Sequence, residues 1–397
     1  MTNDPFVLNL RHLRAVASVV RIGSLSGAAD DVGITQPALT AAIAGLEARL
    51  GSLFIRSRDG MEPNDAGRAL AQRAEEAYRH LASGLRAGSP RARGFSQPER
   101  LVTTSQLRAL LALADDGSYA TAAQTTGLSP PALHRSVRDV ERLTGTLLVQ
   151  RRGRGVALTE AGRRAVRAFR LAVGAIRSGL TDLAALENEA AMDRLVIGAM
   201  PLCRARMLPA AVARLQSTYP NAHVTVVEGA HRELLDQLRE GRIDMTIGAL
   251  RTPSPGPDVV QSPLLVDRLA IVAGGGHPLA GPRRPPLSEL ARHRWLVGIP
   301  GSPLREHWEK MFEGMAMPAA PVDCGSVMVI RGLLMSGDYL TLLSPEQIGM
   351  ELKTGMLALV GGPLEDHVRN IGVTVRADWR PTAAQQFFVS TLHEPER

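Results

Sequence analysis

TTSQLRALLALADDGSYATAAQTTGLSPPALHRSVRDVERLTGTLLVQRRGRGVALTEAGRR, from Thr103 to Arg164, is the stretch to read first. Ser118 can cap a short helix whose residues from Tyr119 to Ala123 are apolar or small, and Gly127 can take the left-handed conformation that ends it. Ser129 then caps a second helix with Pro130 at its first position, where a missing N–H is harmless. Leu133, Val137 and Val140 recur at helical spacing and face inward. Pro131, His134, Arg135 and Arg138 lie outside that stripe. A buried apolar stripe under a basic, hydrogen-bonding face near the N-terminus is what a helix entering the DNA major groove requires. Arg151, Arg152 and Arg154 follow in a Gly-punctuated hairpin, placed like the wing of a winged helix.

Moving toward the N-terminus, the stretch repeats. Leu13, Arg14, Ala15, Gly23, Ser24, Ala28, Ala29 and Gly33 match Leu107, Arg108, Ala109, Gly117, Ser118, Ala122, Ala123 and Gly127, each 94 residues on. Pro37, Ala38, Leu39, Glu47, Gly51 and Leu53 continue the match, and after one inserted residue Ala66-Gly67-Arg68 meets Ala161-Gly162-Arg163. A self-match of this length means two copies of one small helical domain. The copies differ in charge. In the first, Gln36, Pro37, Thr40, Ala41 and Ala44 take the outward positions, and its hairpin mixes Arg56 and Arg58 with Asp59 and Glu62. Each phosphate neutralised strengthens and steepens salt-dependent binding, so the second copy is expected to bind DNA more tightly. The first either makes some DNA contact or serves packing and dimerisation.

Between the copies, Ala66 to Arg86 reads as an amphipathic helix with Leu70, Ala74, Ala77 and Leu81 on one stripe, and GSPRARGFSQPER reads as a flexible linker. After the second copy, Val166, Phe169, Val173, Ile176, Leu180 and Leu183 step by three and four, a heptad seam that points to a dimerising helix; a helix covering a globular core is the alternative. From Leu195 short strands alternate with helices, predicting an α/β region with mostly parallel sheet, too extensive for one small domain and better divided into two lobes around a cleft.

The 397 residues leave room for two to four domains. Lys plus Arg number 46 against 39 acidic residues, and Lys occurs only at 310 and 353. That balance suits an anionic partner, and a GC-rich genome favouring Arg codons accounts for it equally. Two cysteines, Cys203 and Cys324, exclude a disulfide framework and suggest a reducing compartment. The N-terminus carries an early acid and no long apolar run, and no stretch approaches a membrane span, so a cytoplasmic, nucleoid-associated protein is expected. P-loop, nucleophile-elbow, paired-cysteine and HExxH patterns are missing from the sequence, and neither an enzyme nor a bound cofactor or metal is expected.

With these motifs in view, the segment from Thr103 onward resembles a LysR-type transcriptional regulator. The resemblance rests on LRALLALADDGSYATAAQTTGLSPPAL, the hairpin ending LTEAG, the long helix, LVIGAM…LPAAVARLQSTYPNAHVTVVEG…LLDQLREGRIDMTIG, HPLA at His277 and WLVGIPGSPLREHWE at Trp295. Residues 1–86 resemble a second copy of the DNA-binding domain, an addition to the usual single one. The resemblance implies two all-α winged helix-turn-helix domains plus an α/β two-lobed effector domain similar to periplasmic binding proteins. The expected domains are 1–86, a flexible linker 87–102, 103–163, a dimerising linker helix 164–190, and 191–397, the last with lobes 191–265 plus 363–397 and 266–362. Partners implied are double-stranded DNA, a small-molecule effector, RNA polymerase, and a second or further copies in a homodimer or homotetramer. The WLVGIPGSPLREHWE phrase resembles a subgroup tied to organic-acid or sugar catabolism.

In that family the reading helix opens Gln-Pro, with Ser or Thr and then Arg one turn later. Gln36, Pro37 and Thr40 keep part of the set in the first copy; Ser129 precedes Pro130 in the second, where Pro131 and Arg135 keep the other part. Arg135 is the expected base reader. Ligands of open α/β sheets sit beyond the carboxyl ends of strands, which places Pro201, Leu202, Cys203, His231, Gly301, Ser302 and Arg305 at the effector site. Cys203 could instead be inertly packed, His231 a helix cap, and Arg305 a surface salt bridge. A reading from another class is a ligand-binding oligomerisation protein that modulates a partner regulator through protein contacts.

Overall fold

The computed structural model describes residues 4–57, 60–86, 94–153, 155–186, 194–200, 203 and 205–393. Its first half runs through one order of elements twice. The first unit is α1 (Leu10–Ile22), α2 (Leu25–Val32), α3 (Gln36–Leu50), a hairpin of β1 (Phe54–Ser57) and β2 (Gly60–Pro63), and α4 (Asp65–Leu85). The second is α5 (Thr104–Asp116), α6 (Tyr119–Thr126), α7 (Pro130–Thr144), a hairpin of β3 (Val149–Arg152) and β4 (Gly155–Leu158), and α8 (Glu160–Leu186). The same polar locks recur. Glu47 accepts from the backbone N–H of Leu53 and Phe54, and Glu141 from those of Leu148 and Val149. A Cβ at Gly67 would lie 2.1 Å from the Leu53 carbonyl oxygen, and one at Gly162 would lie 1.9 Å from that of Leu148. Each long helix therefore starts against its own hairpin at a distance only glycine permits.

α4 and α8 pack against each other antiparallel, with Gly84 against Ala168 at one end and Gly179 against Arg73 at the other. Val166, Phe169, Val173, Ile176, Leu180 and Leu183 are all at most 5 % exposed, in one core with Leu70, Ala74, Ala77 and Leu81. The heptad seam thus has its partner helix within the chain. This corrects the expectation that α8 offers a free dimerising face: α4 supplies the complementary stripe and already excludes water from it. The linker expectation is also corrected from Gly94 onward. Glu99 and Val102 are buried, Arg86 donates to the Glu99 carboxylate, and Phe95 N–H donates to the Leu143 carbonyl. Residues 87–93 and 187–193 lie outside the described residues.

Among the described residues, the second half holds two five-stranded sheets. One comprises β5 (Arg194–Ala199), β6 (His223–Glu228), β7 (Met245–Ala249), β8 (Val259–Arg268) and, from near the C-terminus, β14 (Val368–Arg376); its order is β6-β5-β7-β14-β8. α9 (Met207–Thr218), α10 (His231–Arg239) and α15 (Ala383–His393) accompany it. The other comprises β9 (Ala270–Gly274), β10 (Arg294–Val297), β11 (Val322–Asp323), β12 (Tyr339–Leu343) and β13 (Leu357–Leu359), ordered β11-β10-β12-β9-β13, with α11 (Leu287–Leu290), α12 (Pro303–Met311), α13 (Val327–Ser336) and α14 (Gly349–Thr354). The chain crosses between the lobes after β8 and returns before β14. Both sheets are mixed: β14 runs antiparallel to β7 and β8, and β9 antiparallel to β12 and β13. β8 eludes the sequence pattern because it is an edge strand, where Pro263 is tolerated and only one neighbour imposes alternation.

The first lobe docks on the helical pair from both sides. Arg73 of α4 donates to the Arg380 carbonyl at 2.9 Å, and Arg170 of α8 pairs with Asp115 and, at 3.6 Å, with Glu240. No helix among the described residues is long and apolar enough to cross a membrane.

Candidate DNA interface and effector cleft

α7 begins as its sequence requires. The Ser129 hydroxyl accepts from the Ala132 N–H, and Pro130 takes the first turn. Leu133, Val137 and Val140 are fully buried, which turns Ser129, Pro130, Pro131, His134, Arg135 and Arg138 to the outside. Among the described residues, neither Arg135 nor Arg138 meets a hydrogen-bond acceptor or a carboxylate, whereas Arg142, one turn on, pairs with Asp139. Arg151 and Arg152 are exposed on the adjoining β3; Arg154 lies outside the described residues. The result is a patch of uncompensated guanidinium groups on a rigid helix and its hairpin, suited to phosphates and guanine edges.

His134 has a partner that sequence reading missed. Its ring stacks on Tyr119 with centroids 3.5 Å apart and planes 16° from parallel. Burial raises the Tyr119 hydroxyl above its ordinary pKa, with Glu141 adding to the effect. The stack ties the first residue of α6 to the exposed face of α7 and restrains the imidazole. A signal was available: in the first unit the equivalent positions hold Leu25 and Thr40, so both members of the pair change together between the copies.

α3 presents a different face. Thr35 caps it through the Ala38 N–H, Gln36 and Pro37 are exposed, and the Thr40 hydroxyl donates to the Gln36 carbonyl at 3.0 Å. Ala38, Ala41, Ala44, Gly45 and Ala48 are exposed and uncharged, and Arg49 in the last turn donates to the Val7 carbonyl at 2.9 Å. The Arg56 side chain and Arg58 lie outside the described residues.

The expected effector residues stand at strand ends, where ligands of open α/β sheets sit. Gly301 (φ 74°) and Ser302 turn the chain from β10 into α12, and the Ser302 hydroxyl caps that helix by accepting from the Arg305 N–H. His231 opens α10; burial lowers its pKa, and the nearby Arg251 and Arg239 lower it further. Two expected effector residues are corrected. Cys203 is buried in the core of the first lobe, among Leu208, Ile247 and Phe388, instead of lining the cleft. Arg305 is engaged by Glu309 and Asp323, each at 2.7 Å, and lies over Trp308, so its charge is already compensated. Pro201 and Leu202 lie outside the described residues.

The lobe junction itself went unread in the sequence. Buried Asp267, at the end of β8, accepts from Ser344 of the second lobe at 2.5 Å and from Arg369 at 3.1 Å. Arg206 and Glu346 pair between the lobes at 3.2 Å. His277, His293 and Asp338 cluster in the second lobe. There the Leu279 N–H donates to His277 Nδ1, which leaves the proton of a neutral ring on Nε2, 2.6 Å from Asp338. The imidazole and the carboxylate thus pair directly.

This combination of folds is that of a DNA-binding regulator carrying an effector domain, and the comparisons agree. The family described as bacterial regulatory helix-turn-helix protein, lysR family, matches residues 10–68 and again 104–163, and the LysR substrate binding domain matches residues 188–395. The chain belongs to the LysR family of transcriptional regulators and is not an enzyme. Among its relatives is the HTH-type transcriptional regulator GalR of Pseudomonas putida, 32% identical over 374 residues, which are 93% of this chain and 92% of that protein. An alignment of that extent necessarily passes through most of the first unit as well as the second. PcaQ of Agrobacterium fabrum is 25% identical over 290 residues, 72% of this chain and 93% of its own length. In fold, the chain is similar to ArgP from Mycobacterium tuberculosis (TM-score 0.58, 17% identity, 72% of this chain and 95% of that one). A full-length OxyR variant from Pseudomonas aeruginosa is a second match (TM-score 0.55, 20% identity, 74% and 98%).

Proposed function

We propose that the chain regulates transcription by reading promoter DNA through winged helix-turn-helix units, chiefly the second, under control of a small anionic metabolite held between the lobes. The observation that carries this reading is the exposed, uncompensated pair Arg135 and Arg138 on α7. A guanidinium in that position can take guanine O6 and N7 together, a contact of roughly 1–3 kcal/mol in discrimination. The effector sits against Ser302, Gly301 and His231, where the α12 N-terminus offers N–H groups to a carboxylate. An organic acid or sugar acid has the matching chemistry. Self-association as a dimer or tetramer uses surface other than the α8 seam, and RNA polymerase is a further partner. The protein acts in the compartment that holds the chromosome.

The test is footprinting on the DNA upstream of the protein's own gene, with and without Arg135→Ala. The reading expects a footprint whose sequence preference disappears in the variant while weak, salt-sensitive binding remains. A preference that survives Arg135→Ala removes the second unit as the reader. Complete failure to bind at low salt supports the second reading, a modulator acting through protein contacts, which the uncharged face of α3 favours.

A further inference from the structure

The pairing of α4 with α8 has a symmetry that the repeat alone does not require. A Cβ at Gly84 would meet the Ala168 Cβ at 2.2 Å, and a Cβ at Gly179 would meet the Arg73 Cβ at 3.1 Å. Gly179 is 95 residues after Gly84, and Ala168 is 95 residues after Arg73. Each contact is therefore answered by the same contact with the roles of the copies exchanged. That is the signature of an isologous, two-fold interface, here formed inside one chain. The first unit hangs from the N-terminus of α4 and the second from the N-terminus of α8. Because the helices run antiparallel, the units occupy opposite ends of the pair. α8 spans 27 residues, roughly 40 Å at 1.5 Å per residue, close to the ~34–36 Å that separates major-groove entries one helical turn apart. A two-fold axis also gives both units the same height along it, so α3 and α7 face the same way along that axis, as the dyad of a duplex demands.

We infer that one chain is by itself a two-headed DNA clamp: α4 and α8 pair within the chain, and its two unlike heads seat on two unlike half-sites of one operator. The inference rests on the DNA-binding reading above. An ion pair shows why α4 pairs with α8 and neither helix with its own kind. Arg73 Nε lies 2.8 Å from Asp182 Oδ2, with Arg73 almost wholly buried. In an α8–α8 pairing between two chains, Ala168 would stand in the place of Arg73, and Asp182 would lose its guanidinium. In an α4–α4 pairing Arg73 would lose Asp182 and keep only Glu76 of its own helix, at 3.3 Å. Both like-with-like pairings forgo the Arg73–Asp182 bridge, which acts against them. The heads then impose an asymmetric operator. α7 offers Arg135 to a guanine, whereas α3 offers the exposed amide of Gln36, whose bidentate match is adenine.

Three measurements on the full chain decide it. Arg73→Asp and Asp182→Arg are each expected to lower affinity for the footprinted promoter by roughly tenfold or more, because each sets like charges against one another in the seam. Combining both on one chain restores binding, and co-expressing the two single variants as separate chains does not. Equal rescue by the separate chains would place α4 and α8 on different copies and overturn the inference. Should the swaps fail to fold, hydrogen exchange of the unmodified chain decides the same question. Amide protection across Val166–Leu183 is expected to stay constant over about a hundredfold dilution; protection that falls on dilution overturns it. Finally, Ala41→Glu places an acid on the open face of α3 and is expected to erase the arm of the footprint under the first head, while the arm under α7 persists. A footprint unchanged by Ala41→Glu removes the first head from the DNA. If the unmodified chain leaves no footprint at all, the DNA-binding reading itself fails, whatever the exchange and swap results say about pairing.

Discussion

Residues 10–85 and 104–186 build one scaffold and show solvent two different faces. Beneath the surface they agree down to the carboxylate that ties α3 and α7 each to its hairpin, Glu47 in one and Glu141 in the other. At the surface, α3 carries Thr40, Ala41 and Ala44 where α7 carries His134, Arg135 and Arg138. The interior has to pack against the same neighbours in both copies, so its chemistry is constrained. The exposed positions meet only water and whatever each unit binds, and there the copies have diverged. The seam between the long helices lies between these extremes: it is two-fold in its glycines and one-sided in its charges.

The largest effect should come from the seam. Phe169→Ala empties a fully buried site that belongs to the core of both units, and a loss of about 3–5 kcal/mol is expected in urea denaturation. Leu81 and Ile176, 95 residues apart and both at most 1 % exposed, test the symmetry itself. Their alanine variants should each lose about 2–5 kcal/mol and agree with one another within ~1 kcal/mol. A large mismatch would break the two-fold description. Next in size, grafting the surface of one unit onto the other sharpens the comparison: Ala41→Arg gives α3 the residue that α7 has at the same place. The slope of log affinity against log salt should steepen by about 0.9 for one added phosphate contact, and no change would mean that α3 does not approach the backbone.

Smaller again is the stack. Tyr119→Leu and His134→Thr restore the residues of the first unit, and a double-mutant cycle on stability should give a coupling of roughly 0.5–1.5 kcal/mol. The smallest expectation is a control outside both units. His307 on α12 faces His367 at 3.3 Å. Burial, then His367, Arg369 and Lys310, push the His307 pKa from its ordinary 6.5 down to about 4, with Asp267 opposing. Burial and Lys310 also lower His367. The unfolded chain therefore binds protons between pH 6.5 and 4 that the folded chain excludes. Stability should be full above that window and decline as pH falls through it, with the decline seen by probes in the effector half. A loss confined to the helical units would show that other groups dominate.

Much of this molecule was legible in its sequence because the signals are local. Ser118 with Gly127, and Ser129 with Pro130, mark helix ends by bonds made within one turn. The 94-residue repeat places the second set of elements as soon as the first is read. Local pattern also turned Arg135 outward, because Leu133 and Val137 have only one way to face the core. What escaped depends on distant neighbours. Cys203 and Arg305 both sit at strand ends where a ligand could bind. Only the fold buried the first among apolar side chains and set Glu309 and Asp323 around the second.

The long helix draws the line most sharply. Its amino acids by themselves determined an apolar seam of heptad period, since side-chain spacing is a property of the helix alone. They also determined a second, shorter stripe near the N-terminus. That the two stripes cover each other within one chain, antiparallel and locked by Arg73 and Asp182, was decided only in three dimensions. Hydrophobic burial is non-directional, so a periodic stripe calls for a partner without saying which. The choice came from shape and charge at positions roughly a hundred residues apart.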